Sequence, residues 1–572
     1  MTEKPNVLFL TVDALRADRT TLHGYTRPTT PNLERLAENA IVCENAFSLG
    51  PFTQAACVQM MTATRPFSFG GYDMGAIGRP PTVFRRFKDA GYRTVALSTL
   101  HWVNRFFGYG DGLDEEWQLF ILNTLVGVAV ANMHNSIQGY NEKTITEKQM
   151  LAVAAPVIAK LFRNAEEYCS IRIRGEAGLA ADFPDSLLVG GGYDYGRVRG
   201  VVRRHRKAFE EDAMAYIHTH LKGIPLAHEW LARDWYYRRK PGKLLAESWV
   251  RGSNRLLEPF APSLARSRRN RFRSYVDASA LADKVISILR RHEKERPFFL
   301  WAHFMDTHIP YVSGHGRRWY KETPAYLAKV GHDTGHDPSR TFDPRPPESQ
   351  AEWATFSALY DAAVRWTDEQ IGRIVEAVDG LGLGEDTIIA VCGDHGEEFG
   401  EHGDISHHFL PYEHNIRVPM LFRRRGQAGR RIGDLTCLID AAPTLARMAG
   451  LEPHPDWEGR PLDGPLAAPR DHLVTESFYG GNCIFEDRFL YMGVRTRNRK
   501  FFWKEGRDSR DTFSQDGPEL YDVLTDPDEQ DNIYRPDHPE VPRLESLIAA
   551  RLAEIPEISP ERIARAFGTE VA

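Results

Sequence analysis

The sequence predicts an α/β fold: a mainly parallel sheet flanked by helices, with a helical insertion and a smaller C-terminal α+β subdomain. Three observations carry that expectation. Short, almost wholly apolar runs alternate with helical patterns, as they do where a sheet is covered on both faces. Residues 119–275 lack this alternation and are rich in arginine. From about Asp456 the pattern changes again, to short strands around turns. The expected division is therefore an α/β domain from residues 1–118 and 276–455, a basic, mostly helical insertion at 119–275, and a subdomain at 456–572.

The first strand is Asn6–Val12, an apolar run of the kind that is buried on both faces. Asp13 closes it. A helix is expected at Thr30–Asn39, with Thr30 as cap and Pro31 at its first position. Pro81–Ala90 reads as helix and Thr94–Leu97 as strand. Pro297–His303 and Thr387–Cys392 are two further buried runs, the latter ending in Gly393-Asp394-His395. Ser357–Leu381 has a helical pattern. In the tail, Phe485–Val494 and Lys500–Lys504 suggest strands, and Val541–Leu552 a closing helix.

Ligands of such sheets collect beyond the carboxyl ends of the strands. Asp13, the Asp306–His308 stretch and Asp394-His395 all fall there. Two carboxylates with an imidazole suit a divalent ion, and the imidazole favours Mn²⁺ or Zn²⁺ over Ca²⁺ or Mg²⁺, which prefer oxygen shells. The segment Ser48–Pro66 supplies a hydroxyl, Thr53. A cation beside it would lower its pKa, and a helix beginning after Pro51 would add a positive dipole end. The competing role for Thr53 is an ordinary N-cap.

Composition narrows the rest. Lys plus Arg number 72 against 78 Asp plus Glu, a net charge of −6, so the chain as a whole is not built for nucleic acid. The basic run Arg203–Lys207 and the cluster Arg266, Arg268, Arg269, Arg271 and Arg273 admit two readings. One is a solvated face with internal ion pairs; the other is a contact for a membrane surface or another anion. Six scattered cysteines make neither a CxxC metal site nor a disulfide frame. The apolar stretch Leu119–Val130 is too short for a good membrane span. With no secretory leader expected, the anticipated location is cytoplasmic.

Several motifs together go further. VDALRAD at Val12–Asp18, the run His23–Ala37, Pro297–Tyr311, GDHGEEFGEHG at Gly393–Gly403, RVPMLF at Arg417–Phe422, Leu438–Gly450 and Glu519–Ile533 resemble, in order, the sulfatase family of the alkaline phosphatase superfamily. The resemblance implies an alkaline-phosphatase-like sheet, with Asp13, Asp394 and His395 binding the metal and Thr53 as the nucleophile at that metal. It implies that His308 faces the leaving group or a substrate oxygen, and that His407 sits where the family often has a cationic substrate-binding residue. His303 and His402 read as structural.

One departure bears on the reaction. Family sulfatases carry a cysteine or serine that is oxidised to formylglycine. Aligned on Met60–Ala63, that position is Thr53, and the proline, serine and arginine expected after it become Ala55, Ala56 and Cys57. A threonine would stop at a ketone, and Cys57 reads as a small buried residue. An unmodified threonine suits attack on phosphorus, so phosphomonoester or phosphodiester hydrolysis or transfer is the first expectation. The alternatives are a sulfuric ester hydrolase lacking formylglycine and a non-catalytic anion-binding relative. The expected substrate is an anionic ester of a small molecule, lipid or glycan.

Overall fold

The computed structural model describes residues 4–567 apart from 101, 121, 176–193, 224–229, 232–248, 250–252, 254–255, 257–275, 293–294, 310, 312–349, 404, 408, 466–467, 479–488 and 507–516. Its strands are β1 (Asn6–Val12), β2 (Ala40–Phe47), β3 (Arg93–Ser98), β4 (Glu115–Gln118), β5 (Phe298–Phe304), β6 (Thr387–Gly393), β7 (Glu398–Phe399), β8 (Ile405–Ser406), β9 (Arg417–Arg423), β10 (Arg430–Cys437), β11 (His472–Phe478), β12 (Leu490–Thr496), β13 (Arg499–Lys504) and β14 (Glu519–Asp522).

Eight of them form one sheet in the order β10-β2-β9-β6-β1-β5-β3-β4. β1 lies between β5 and β6 and pairs parallel with both. β9 alone runs antiparallel to its neighbours β2 and β6. The sheet is thus mainly parallel, as expected. Successive residues of its central strands point to opposite sides. Val7, Phe9, Phe299, Trp301, Ile388 and Ala390 pack into one core, against the helices Thr53–Thr62, Val83–Asp89 and Ala441–Met448. Leu8, Leu10, Leu300, Ala302, Ile389 and Val391 pack into the other, against Pro31–Ala37, Ala278–Arg290 and Gln350–Gly380. Burial on both faces is why these strands read as unbroken apolar runs. A four-stranded antiparallel sheet, β11-β12-β13-β14, follows toward the C-terminus and is backed by the helix Val541–Ala553.

Some elements differ from expectation. The helix after Thr30 spans Pro31–Ala37, and the Thr30 side chain makes no capping bond. Asp368 does that work from a distant helix, accepting from the backbone N–H of Asn32 at 3.0 Å and of Leu33 at 2.9 Å. A carboxylate at a helix start also meets the positive end of its dipole. The helix expected from Ser357 begins at Gln350. The strand expected from Phe485 is described from Leu490, its first residues lying outside the described ones.

Between β4 and β5 the described elements include helices at Leu122–Asn141, Glu147–Arg174, Tyr195–Glu211 and Ala213–His220. The basic run Arg203–Lys207 lies on the third of these. Arg203 and Arg206 pair with Glu166 at 2.6 and 2.8 Å, and Lys207 with Glu211 at 3.7 Å. The arginines from Arg266 to Arg273 lie outside the described residues. Among the described residues no helix is long and apolar enough to cross a membrane. Cys43, Cys57, Cys169, Cys392 and Cys437 are buried free thiols, and Cys483 lies outside the described residues.

Candidate active site

Four segments meet at the carboxyl edge of the central strands. Asp13 follows β1, His308 follows β5, Asp394 and His395 follow β6, and Thr53 opens the helix Thr53–Thr62. That helix is held in place by Gln59. Its Oε1 accepts from the Leu49 backbone at 2.8 Å, and its Nε2 donates to the Ala55 carbonyl at 2.9 Å. Phe52, in extended conformation, is the N-cap residue, so Thr53 is the first helical residue and not the cap. Its hydroxyl is spared from capping and turns elsewhere. Thr53 Oγ1 lies 3.0 Å from His395 Nε2 and 3.3 Å from Asp13 Oδ2.

The partners of these groups decide what they can hold. His395 Nδ1 lies 2.8 Å from the Gly396 carbonyl, which can only accept, so Nδ1 carries the proton and Nε2 keeps its lone pair in the neutral ring. Gly396 itself has no room for a side chain: a Cβ would come within 1.8 Å of the His414 carbonyl oxygen. Asp394 Oδ1 accepts from the backbone N–H of Ala14 at 2.9 Å and of His395 at 2.7 Å. Ala14 reaches it from a left-handed backbone conformation, φ 51°. Asp394 Oδ2 and Asp13 Oδ1 are buried and have no hydrogen-bond partner among the described residues.

Asp13, Asp394 and His395 thus each present one ligand atom, all within 4.8 Å of one another. Burial and the Asp13 charge push the Asp394 carboxyl well above its usual range. Burial acts on Asp13 in the same sense, but His308, His303 and His395 outweigh it and hold that carboxyl low. Two like charges sealed from water, each with an oxygen unmatched, cost several kcal/mol unless a cation joins them. Two hard oxygens with an imidazole nitrogen fit a divalent ion.

Two further histidines line the same place. His407 Nδ1 donates to Glu397 Oε1 at 3.1 Å, and its ring centre lies 4.2 Å from that of His395 and 5.0 Å from that of His308. Burial, then the neighbouring His395, lowers the His407 pKa against the pull of Glu397, so the ring is neutral near pH 7. His308 Nδ1 donates to the Ile309 carbonyl at 2.6 Å.

Asp13, Thr53, Asp394, His395, His308 and His407 are thus brought together. Asp306 is not among them: its carboxylate accepts from the Ala278 backbone at 2.7 Å, at the start of the helix Ala278–Arg290. His303, read as structural, instead contacts Asp13. Its Nε2 donates to Asp13 Oδ2 at 3.3 Å, while Nδ1 lies 2.6 Å from Thr11 Oγ1, which in turn accepts from Trp301 Nε1 at 3.0 Å. Thr11 and His303 are register partners across β1 and β5. The sequence carried no local sign of that pairing. Cys57 is fully buried as expected, and burial, then Asp394 and Asp13, raise its thiol far above the usual value.

Comparison with known proteins identifies the family. The sulfatase family model matches residues 5–151 and 227–451, more than half of the chain. The chain belongs to the sulfatase family. Members of that family are ester hydrolases that bind a divalent metal ion. An arylsulfatase of Clostridium perfringens is 23% identical over 548 residues, 93% of this chain and 90% of that protein. Among solved structures, a 2-O GAG sulfatase superposes with a TM-score of 0.53 at 14% identity, covering 99% of this chain and 94% of the other. A phosphonate monoester hydrolase of Agrobacterium radiobacter superposes with a TM-score of 0.52 at 15% identity, covering 96% and 95%. These likenesses establish the alkaline-phosphatase-like fold.

Proposed function

We propose that this sulfatase-family hydrolase cleaves or transfers anionic phosphoesters, using Thr53 directly as its nucleophile. The observation that supports this most is the placing of an unprocessed hydroxyl at 3.0 Å from His395 Nε2 and 3.3 Å from Asp13 Oδ2. Asp13, Asp394 and His395 would hold the divalent ion, of the Mn²⁺ or Zn²⁺ class. Bound there, such an ion would lower the pKa of a neighbouring hydroxyl and offset charge on a non-bridging oxygen.

The chain's own residues supply the rest. Thr53 Oγ1 forms a bond to phosphorus as the bond to the leaving alkoxide breaks, giving a phosphothreonine. The hydroxyl proton passes to Asp13 Oδ2, which accepts from Thr53 Oγ1 at 3.3 Å. The alkoxide gains a proton from a histidine of the His308–His407 pair, which substrate negative charge would help to protonate. Glu397 orients His407 through Nδ1. Water or an acceptor alcohol then attacks the phosphothreonine and restores Thr53. The chain from Trp301 through Thr11 to His303 keeps Asp13 Oδ2 aimed at the hydroxyl.

A second reading is sulfuric ester hydrolysis by the same threonine. The arylsulfatase relative that aligns over 93% of this chain favours it. Against it, a sulfated threonine lacks the hemiacetal escape that formylglycine offers. The test is a matched panel of aryl sulfate, phosphomonoester, phosphodiester and phosphonate monoester, assayed with manganese, zinc and calcium in turn. Phosphoester turnover exceeding sulfate turnover, with a trapped phosphothreonine at Thr53, is the expected result. Sulfate turnover alone would reverse the assignment.

A further inference from the structure

A second group of titratable side chains lies apart from Thr53. His402 lies between β7 and β8, His414 in the short helix Glu413–Ile416 before β9, and Glu529 follows β14 in the C-terminal subdomain. Each of the three offers one ligand atom, and these atoms lie within 4.8 Å of one another, the same limit met by Asp13, Asp394 and His395. His402 Nε2, His414 Nε2 and Glu529 Oε1 are all buried without a hydrogen-bond partner among the described residues. His414 is 7% exposed and Glu529 1%.

Glu529 Oε2 accepts from the Glu413 backbone at 2.6 Å, and Glu529 keeps that position at φ 55°. The His402 backbone donates to Glu398 Oε1 at 2.9 Å, and the His402 ring stacks on Tyr412, centres 3.6 Å apart at 3°. Three buried polar atoms without a hydrogen bond, two of them on imidazoles that stack with Tyr412, cost more together than any one of them would.

Acidic side chains outnumber basic ones around the group. The carboxylates of Glu398, Glu413 and Glu529 face two cations. Arg495 pairs with Glu413 at 2.8 Å, and Lys500 lies 3.3 Å from Glu413 and 3.7 Å from Glu529. One negative charge remains, beside His414 Nε2, which is 3.6 Å from Glu398 Oε2. A proton on His414 would balance that charge but would leave His402 Nε2 without a hydrogen bond. A dication satisfies all three atoms at once.

We propose that His402, His414 and Glu529 form a second divalent-cation site, of the zinc class, which fastens the C-terminal subdomain to the loop carrying Asp394, His395 and His407. Two imidazoles and a carboxylate are an ordinary zinc donor set, and Glu398 Oε2 or water would complete a fourth position. The role is structural, because no Thr53-like hydroxyl adjoins it among the described residues.

The test is zinc stoichiometry on the full chain. With excess zinc, then dialysis, the unaltered protein should retain two ions per chain, and His402→Ala with His414→Ala should retain one. An Asp13→Asn, Asp394→Asn double variant leaves the second group intact and should also retain one. In that double variant zinc should raise the melting temperature, and cobalt(II) should give visible absorption bands; adding His414→Gln should abolish both. One ion in the unaltered chain that disappears in the Asp13→Asn, Asp394→Asn variant overturns the second site. One ion that persists in that variant supports it and counts instead against the catalytic metal.

Discussion

The carboxyl edge of the sheet and the helical segment before β5 handle charge in opposite ways. At the edge, Asp13 and Asp394 are fully buried, and each keeps an oxygen without a partner among the described residues. On the helix Tyr195–Glu211, charges are plentiful and exposed, yet Arg203, Arg206 and Lys207 are paired with glutamates. Density of charge is thus a poor guide to function. Charge that is buried and unmatched is expensive, and the fold keeps it only where something else completes it.

That contrast can be broken at its strongest point first. Thr53→Ala should lower turnover of the best ester substrate by on the order of 10³-fold or more while leaving the fold intact. Full activity in that variant would remove Thr53 from the reaction. Asp394→Asn comes next. It keeps an acceptor for Ala14 and His395 but removes a carboxyl whose ionised form burial and Asp13 make costly. Activity should fall by a factor comparable with the loss on chelation, while the melting temperature of the metal-free protein should rise by about 2 °C. A lower melting temperature would mean that the two carboxylates do not repel as described.

His303→Gln should cost about 10- to 100-fold in activity or metal affinity, the usual range for a group that orients a ligand. Unchanged metal affinity and turnover would return His303 to a packing role.

A pH effect follows from His23, whose pKa burial and then Arg417 lower to about 4. The unfolded chain binds a proton there more readily than the folded one. The stability linked to a neutral His23 is therefore present above about pH 6.5 and is lost as pH falls from there toward 4. His23→Gln should flatten the stability curve in that window, measured by chemical denaturation; an unchanged slope would exclude the linkage. The smallest effect is expected on the other side of the comparison. Arg203→Ser with Arg206→Ser should change stability by about 1 kcal/mol, because the arginines are solvated although their shared partner Glu166 is half-buried. A larger loss would show that the helical segment depends on its charges after all.

The same contrast explains what could be read from the sequence. β1, β5 and β6 were legible because strands buried on both faces leave apolar runs, and the residues that follow such runs fall at the functional edge. Thus Asp13, Asp394 and His395 were found without coordinates. β2 and β10 were not, since Glu44 and Asn45 interrupt the first and the second pairs across a register shift between Ile432 and Leu435. His303 was missed because its meaning lies in Thr11, a partner supplied by another strand. His414 and Glu529 come from segments far apart in the chain, and no spacing rule links them. The neutral state of His407 depends on enclosure by other segments, which residue order does not convey.

The lone antiparallel strand, β9, has an architectural consequence. Because it runs against β6, its first residue and the last residue of β6 sit at the same end of the sheet. The stretch 394–416 therefore leaves and re-enters the framework on one side, as a canopy anchored at both rims. Asp394, His395, His402, His407 and His414 all lie on it, so one strand pair frames both groups of ligand atoms. A slip of β9 against β6 would therefore disturb both groups together.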